Sequence, residues 1–228
     1  MTPRPRALLL DLDDTLYDYA PAEAAARAAV LADVGAATGL APDDCARRWD
    51  AARASVKARL GDRAAAHSRA LYLSELLHAA GAASALRGVR AWEARYWAVF
   101  SDAARLRPGA LPLLRGWRAR GHRVAIVTDL TLDVQLAKIE RFGLWPLVDA
   151  LVASEEVPWD KPAPEAFRLA IARLGVEASS CVVVGDSARR DGGGAAALGI
   201  PYLRVAAGER PAEGLSLEAV ARALEAEP

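Results

Sequence analysis

Three short apolar runs along the chain each end in polar residues. They are RALLLDL at residues 6–12, RVAIVTD at 123–129 and CVVVGDS at 181–187. Uninterrupted apolar runs are typical of parallel strands that are buried on both faces of a sheet. Two weaker runs, at 150–154 and 202–206, fit the same design. The pattern therefore predicts about five parallel strands.

The segments between the later runs have the spacing of amphipathic helices. Apolar residues recur at helical intervals from Leu132 to Phe142 and from Pro164 to Leu174,. An alternation of strands and helices is typical of an α/β fold in which helices cover a parallel sheet.

The region between the first two strong runs has a different pattern. Alanine- and arginine-rich stretches with helical periodicity occupy residues 22–34, 43–60 and 70–80, and no strand-like run interrupts them. Tryptophans and regularly spaced leucines supply an apolar face, which favours folded helices over a low-complexity segment.

The position of this helical region predicts a discontinuous core. The first strand precedes the region and the second strand follows it, so it is interpreted as an insertion. We expect an α/β core made of residues 1–16 and 106–228, and a helical domain made of residues 17–105.

Composition narrows the class of protein. The chain has 228 residues, 53% of them hydrophobic, which is enough to bury a sizeable core,. Its 29 basic and 29 acidic residues cancel, so no overall field attracts nucleic acid or an anionic membrane,. We expect a soluble protein that binds neither, as a monomer or a homodimer.

Two further features of the sequence predict the cellular location of the protein. The first apolar run ends at Asp11, too early for a secretory segment or a membrane span, which makes the cytoplasm the expected location,. The only cysteines, Cys45 and Cys181, are far apart in sequence and are predicted to be small buried hydrophobic residues in a reducing compartment,.

Candidate chemistry lies at the ends of the strong runs. Ligands of open α/β sheets bind beyond the carboxyl ends of the strands, so Asp11, Asp13, Thr128 and Asp186 should converge there,. Three carboxylates at one point repel one another unless a cation lies among them, and oxygen ligands suit a hard ion such as Mg²⁺. The sequence therefore predicts a magnesium site.

Lys161 adds a positive charge in a distinctive context. It is one of only three lysines among 29 basic residues, and Pro162 and a helical segment follow it. A compact ammonium reaches between a carboxylate and a phosphoryl oxygen in a way that a planar guanidinium does not.

Four motifs occur in a fixed order along the chain: DLDDT at 11–15, VTD at 127–129, KP at 161–162 and GDSARRD at 185–191. With them, the chain resembles the haloacid dehalogenase-like hydrolases. The resemblance implies a Rossmann-like parallel sheet with an inserted all-helical cap that closes over small substrates. It also implies a magnesium-dependent phosphatase whose partner is a small phosphorylated metabolite.

The resemblance also implies roles for the residues that react. Asp11 would be the nucleophile that forms an aspartyl-phosphate. Asp13 would be the general acid for the leaving alcohol and then the general base for water. Thr128 would donate its hydroxyl to a phosphoryl oxygen, and Lys161 would balance the charge that develops there.

Metal ligation is implied in the same way. Asp11 and Asp186 would bind Mg²⁺ through their side chains, and Asp13 would do so through its backbone carbonyl. Asp191 would lie behind these ligands and orient them, or bind through water.

The chain departs from the family pattern at two positions. Asp14 stands where glycine is common and is predicted to be a turn residue that tolerates unusual backbone angles. Asp129 stands where asparagine or glycine is common. It either caps the helix that begins near Thr131 or faces the substrate, where its charge would weaken anion binding.

A polar cluster in the helical region has two interpretations. Arg63, His67, Arg69 and Tyr72 either meet the polar end of a substrate or form a solvated helix surface. We treat Arg69, together with Asp129, as a candidate for substrate binding.

Other functions are compatible with parts of the pattern. A phosphomutase would use the same residues and return the phosphoryl group to the bound intermediate. A non-catalytic phosphometabolite-binding protein could retain the fold. A dehalogenase is disfavoured because the loss of halide needs no proton donor at the position of Asp13.

Overall fold

The computed structural model describes residues 5–206 and 214–226. The remaining parts of the predicted core segments lie outside the described residues. Within the described part of the chain, five parallel strands form one sheet in the order β3-β2-β1-β4-β5. The strands are β1 (Ala7–Leu10), β2 (Arg123–Thr128), β3 (Ala150–Ala153), β4 (Cys181–Gly185) and β5 (Tyr202–Arg204). The α/β fold with a parallel sheet is confirmed.

The chain divides into two compact units. One consists of Met1–Tyr19 with Arg105–Pro228 and contains the sheet, and the other is Ala20–Ala104. The helices of the second unit are α1 (Tyr19–Thr38), α2 (Pro42–Leu60), α3 (Arg69–Ala79) and α4 (Val89–Ala103). Their interior is aromatic: the ring of Tyr96 is 6.0 Å from that of Trp49 and 6.3 Å from that of Phe100.

Helices of the sheet-containing unit follow the strands. They are α5 (Ala110–Ala119), α6 (Leu132–Arg141), α7 (Glu165–Leu174), α8 (Gly193–Ala196) and α9 (Leu217–Ala226). Successive side chains of a strand point to opposite faces of the sheet, so both faces need cover. On one face, Leu9, Val127 and Val183 belong to a buried cluster with Phe167 of α7.

The strands are shorter than the apolar runs that predicted them. Asp11 and Leu12 follow β1 instead of extending it, because the chain turns at Asp14, whose φ is 62°. This positive φ confirms Asp14 as a turn residue. Cys45 and Cys181 are free and buried, as predicted.

A helix that crosses a membrane needs about 20 predominantly apolar residues. Among the described residues, no single helix is long and apolar enough to cross a membrane. The helices α1 and α2 meet the criterion only as a pair, with a bend of 113° at their break.

The sheet determines where the functional loops begin. Leu10, near the end of β1, pairs with Ile126 of β2 on one side and with Val184 of β4 on the other. Parallel strands present their carboxyl ends at one edge. The residues that follow β1, β2 and β4 therefore emerge together.

Candidate active site

Asp11 is the first residue after β1, and both of its carboxylate oxygens accept hydrogen bonds. Lys161 Nζ lies 2.7 Å from Oδ1, and Thr15 Oγ1 donates to Oδ2 over 2.8 Å. The side chain is buried. Burial raises the pKa of Asp11 well above its ordinary value, against the ammonium of Lys161, and the nearby carboxylates of Asp191 and Asp186 raise it further,.

Lys161 is buried among oxygen acceptors. Its Nζ donates to Asp191 Oδ1 at 2.6 Å and to the backbone carbonyl of Val127 at 3.0 Å, in addition to Asp11. Burial alone would lower the pKa of this ammonium, but the carboxylates of Asp11 and Asp191 outweigh burial and raise it well above the usual value. Lys161 is therefore a fixed positive charge beside Asp11.

Three carboxylates form the candidate metal centre. One oxygen from each of Asp11, Asp186 and Asp191 lies within 4.8 Å of the others. Burial, followed by repulsion from Asp191, raises the pKa of Asp186 to about 6. A divalent cation would relieve this crowding, and an all-oxygen set fits a hard ion such as Mg²⁺.

The position of Asp191 extends the predicted ligand set. This residue is buried, and its Oδ2 accepts the backbone N–H of Ser187 at 3.1 Å. One of its oxygens lies within 4.8 Å of an oxygen of Asp11 and of one of Asp186, so Asp191 is also a candidate for direct ligation. Contact of the Asp13 carbonyl with a metal stays a prediction.

Asp13 is held by residues that the sequence did not single out. Lys138 Nζ lies 2.8 Å from both carboxylate oxygens, and Tyr17 donates its hydroxyl to Oδ1 at 2.6 Å. Burial alone would raise the pKa of Asp13, but Lys138, with Tyr17 and Gln135, outweighs it and lowers the pKa. The structure therefore favours the carboxylate form of Asp13.

The sequence of α6 contains a pattern that could have predicted these contacts with Asp13. Gln135 and Lys138 lie one turn apart, and both are buried on the same side of α6 as Ile139. Polar residues on the apolar stripe of an amphipathic helix are uncommon unless they have partners. That pattern could have indicated them.

Two threonines connect the loops at the sheet edge. Thr128, at the end of β2, is buried, and its Oγ1 accepts a hydrogen bond from Gln135 Nε2 at 2.9 Å. Thr15 accepts the backbone N–H of Asp186 at 3.1 Å while it donates to Asp11. Thr15 therefore joins the loops after β1 and β4.

Asp129 is neither a helix cap nor an uncompensated charge. Its Oδ1 accepts the backbone N–H of Lys161 at 3.0 Å, and its Oδ2 pairs with Arg190 Nη1 at 2.6 Å. Instead, Glu155 accepts the N–H of Leu132 at the start of α6, at 2.8 Å. The helix-cap interpretation is therefore wrong. A role for Asp129 in substrate binding stays a prediction.

Asp129→Asn tests this link between loops. The amide oxygen can still accept the Lys161 N–H, but the charge that pairs with Arg190 is lost. We expect the free energy of unfolding to fall by about 1 kcal/mol, because the pair is partly exposed. Urea unfolding of Asp129→Asn, Arg190→Gln and the double variant measures it. Losses that simply add would contradict a direct pair.

Within the helical unit, Arg69 of the polar cluster packs against aromatic rings. Arg69 is only 6% exposed, and its guanidinium lies 4.9 to 5.6 Å from the ring centres of Tyr72, Tyr96 and Trp97. It also donates to the carbonyl of His67. These contacts account for Arg69 by packing inside the unit, and its role in substrate binding stays a prediction.

Known proteins resemble the chain along most of its length. A ribulose-1,5-bisphosphate 5-phosphatase from Halopiger xanaduensis is 38% identical over 197 residues, covering 85% of this chain and 82% of the relative. A glyceraldehyde 3-phosphate phosphatase from Methanopyrus kandleri is 30% identical over 207 residues, covering 90% and 85%. The crystal structure of a phosphatase from Thermococcus onnurineus superposes with a TM-score of 0.73 at 23% identity, covering 97% of this chain and 99% of that one.

The family model of haloacid dehalogenase-like hydrolases matches residues 5–199. This range contains all four motifs and the carboxylates at the sheet edge. The chain therefore belongs to the haloacid dehalogenase-like hydrolase family, as its motifs predict.

Proposed function

We propose that this hydrolase is a magnesium-dependent phosphatase that cleaves a small phosphomonoester through an aspartyl-phosphate on Asp11. The observation that carries the proposal is the surroundings of Asp11, whose carboxylate lies between the Lys161 ammonium and the Thr15 hydroxyl. The names of the relatives, which are phosphatases of small phosphorylated sugars, support the same reaction class.

Asp11, Asp186 and Asp191 would hold the metal ion. Their clustered oxygens and the raised pKa of Asp186 support this assignment. When bound, the ion supplies positive charge that offsets repulsion between these carboxylates and the phosphoryl oxygens.

In the first half of the reaction, an oxygen of Asp11 attacks phosphorus and the bond from phosphorus to the ester oxygen breaks. The negative charge of the bound phosphoryl group raises the pKa of Asp13 and so offsets the effect of Lys138. Asp13 then gives a proton to the leaving oxygen, so that the product leaves as an alcohol. Lys161 and the Thr128 hydroxyl stabilise the charge on the phosphoryl oxygens during the transfer.

In the second half, a water molecule attacks the phosphorus of the aspartyl-phosphate. Asp13, now a carboxylate, takes a proton from the water, and the bond between phosphorus and Asp11 breaks. Inorganic phosphate leaves and the Asp11 carboxylate is regenerated. The lowered pKa of Asp13 supports its role as base in this half.

The substrate class that we propose is a small sugar phosphate. The helical unit is proposed to act as the family's cap, which excludes water from the reaction. Arg69 is the candidate in that unit for recognising a polar group of the substrate.

The test is release of inorganic phosphate from a panel of sugar phosphates, nucleoside monophosphates and phosphorylated acids, with Mg²⁺ or with a chelator. We expect turnover of at least one sugar phosphate that the chelator abolishes and excess Mg²⁺ restores. Rapid quenching with ³²P-labelled substrate should leave label on the protein that hydroxylamine removes, as expected of an acyl phosphate.

The same assay separates the alternatives. Formation of an isomer without free phosphate would identify a mutase. Binding of phosphorylated compounds without turnover would identify a binding protein. Phosphate release that is insensitive to the chelator would contradict the proposed metal dependence.

A further inference from the structure

We infer that Lys138 and Gln135 of α6 are positioning residues that hold Asp13 for proton transfer, an inference that rests on the proposed function. Neither residue belongs to the four motifs of the family. They act through Asp13 and Thr128, which the proposed mechanism places at the leaving oxygen and at the phosphoryl group.

Lys138 contacts the Asp13 carboxylate through both oxygens. The two distances from Nζ are 2.8 Å, and the Lys138 side chain is 3% exposed. The ring centres of Tyr17 and Tyr19 each lie 5.7 Å from Nζ. A buried ammonium is costly unless it is paired, so this placement favours a specific role.

Gln135 connects the acid/base residue to the phosphate-binding threonine. Its Nε2 lies 2.6 Å from the Asp129 carbonyl, 2.9 Å from Thr128 Oγ1 and 3.5 Å from Asp13 Oδ2. The Asp129 carbonyl can only accept a hydrogen bond, so the amide nitrogen must face it. The amide group has two hydrogens, so Gln135 donates mainly to the Asp129 carbonyl and to Thr128, and its 3.5 Å contact with Asp13 is the weaker one,.

The Asp13 carboxylate is therefore held from two directions. Tyr17, four residues further along the chain, donates to Oδ1 from the loop after β1. Lys138 and Gln135 approach from α6, more than 120 residues away in sequence. Proton transfer requires donor and acceptor within hydrogen-bond reach, so loosening of this hold should slow the step that uses Asp13.

A comparison of two leaving groups distinguishes positioning of Asp13 from a general effect on the fold, which would lower kcat/KM equally for both substrates. An alkoxide must receive a proton as it departs, whereas 4-nitrophenolate is stable without one. The ratio kcat/KM reports the steps up to formation of the aspartyl-phosphate, in which only the alkyl substrate needs the proton of Asp13. Displacement of Asp13 should therefore impair the alkyl substrate more than the aryl substrate.

The experiment measures kcat and KM of Lys138→Met and Gln135→Leu with the best sugar phosphate of the panel and with 4-nitrophenyl phosphate. For Lys138→Met, we expect kcat/KM to fall about 100-fold on the sugar phosphate and less than about 10-fold on the aryl phosphate. The fall should lie mainly in kcat. Gln135→Leu should show the same discrimination with a smaller amplitude.

Two further variants keep the test decisive. Lys138→Arg retains a cation that can donate to both Asp13 oxygens and should recover part of the lost activity. Lys57→Met, in the helical unit, is the matched control and should leave kcat/KM unchanged on the sugar phosphate and on the aryl phosphate. Circular dichroism and thermal unfolding establish that each variant is folded.

Equal falls on the two substrates, or no fall on either, would overturn the positioning role while the proposed function stands. An inactive wild-type protein would overturn the proposed function itself. The two failures are therefore distinguishable.

Discussion

Asp11→Asn should reduce phosphate release by about 10⁴-fold or more, because an amide oxygen is a poor nucleophile for phosphorus. The amide keeps the shape of the carboxylate, so an oxygen remains to accept from Lys161, as Oδ1 of Asp11 does over 2.7 Å. Initial rates on the best substrate of the panel measure the loss. The ³²P label on quenched protein should disappear as well.

The fold of Asp11→Asn should survive, because Lys161 keeps its pair with Asp191 at 2.6 Å while one of the crowded carboxylates is removed,. A melting temperature at or above that of the wild type is expected. Asp50→Asn, on the surface of α2, is the matched control and should retain full activity. Substantial turnover by Asp11→Asn, or label that persists, would mean that another group is the nucleophile.

Lys161→Met should lower kcat by about 10³-fold, because it removes a charge that stabilises the phosphoryl oxygens in the transition state. It should also destabilise the protein. The ammonium contacts Asp11 at 2.7 Å and Asp191 at 2.6 Å, so its removal leaves two buried carboxylates facing each other. Breaking a buried ion pair from one side costs about 3–5 kcal/mol. Urea unfolding and initial rates measure the two effects separately.

The origin of the lost stability can be tested with a second substitution. Asp191→Asn added to Lys161→Met removes one of the uncompensated charges, so it should recover part of the free energy of unfolding without restoring activity. Lys57→Met controls for the general effect of replacing a lysine. A double variant no more stable than Lys161→Met would contradict the electrostatic explanation.

Much of the fold was predictable because its signals are local. Continuous apolar runs indicated buried parallel strands, and the described sheet has strands inside each of the five runs. Strand ends were less predictable, since the apolar character of Leu12 continues past the point where the chain leaves the sheet. Leu12 is apolar because it is buried outside the sheet, and an apolar residue in the sequence does not reveal which kind of burial it has.

The four motifs identified the family and the enzyme class, and the comparisons confirm both. The roles of Asp11 and Lys161 are tested by the substitutions above, and that of Asp13 is tested through Lys138 and Gln135. The roles of Thr128 and Asp186 remain predictions. Asp129 shows the limit of reading a motif alone. Its neighbours in sequence suggested a helix cap, whereas its partners are Lys161 and Arg190, 32 and 61 residues away.

Hydrophobic periodicity and short motifs are local features, so the parallel sheet, the family and the group of strand-end residues could be predicted from the amino-acid sequence. The pairing of charges could not, because it depends on how distant segments pack together. Lys138 meets Asp13 across 125 residues because α6 turns one buried side toward the loop after β1. Periodicity predicts which side of a helix is buried, but the partner depends on how the helices and loops pack around the sheet.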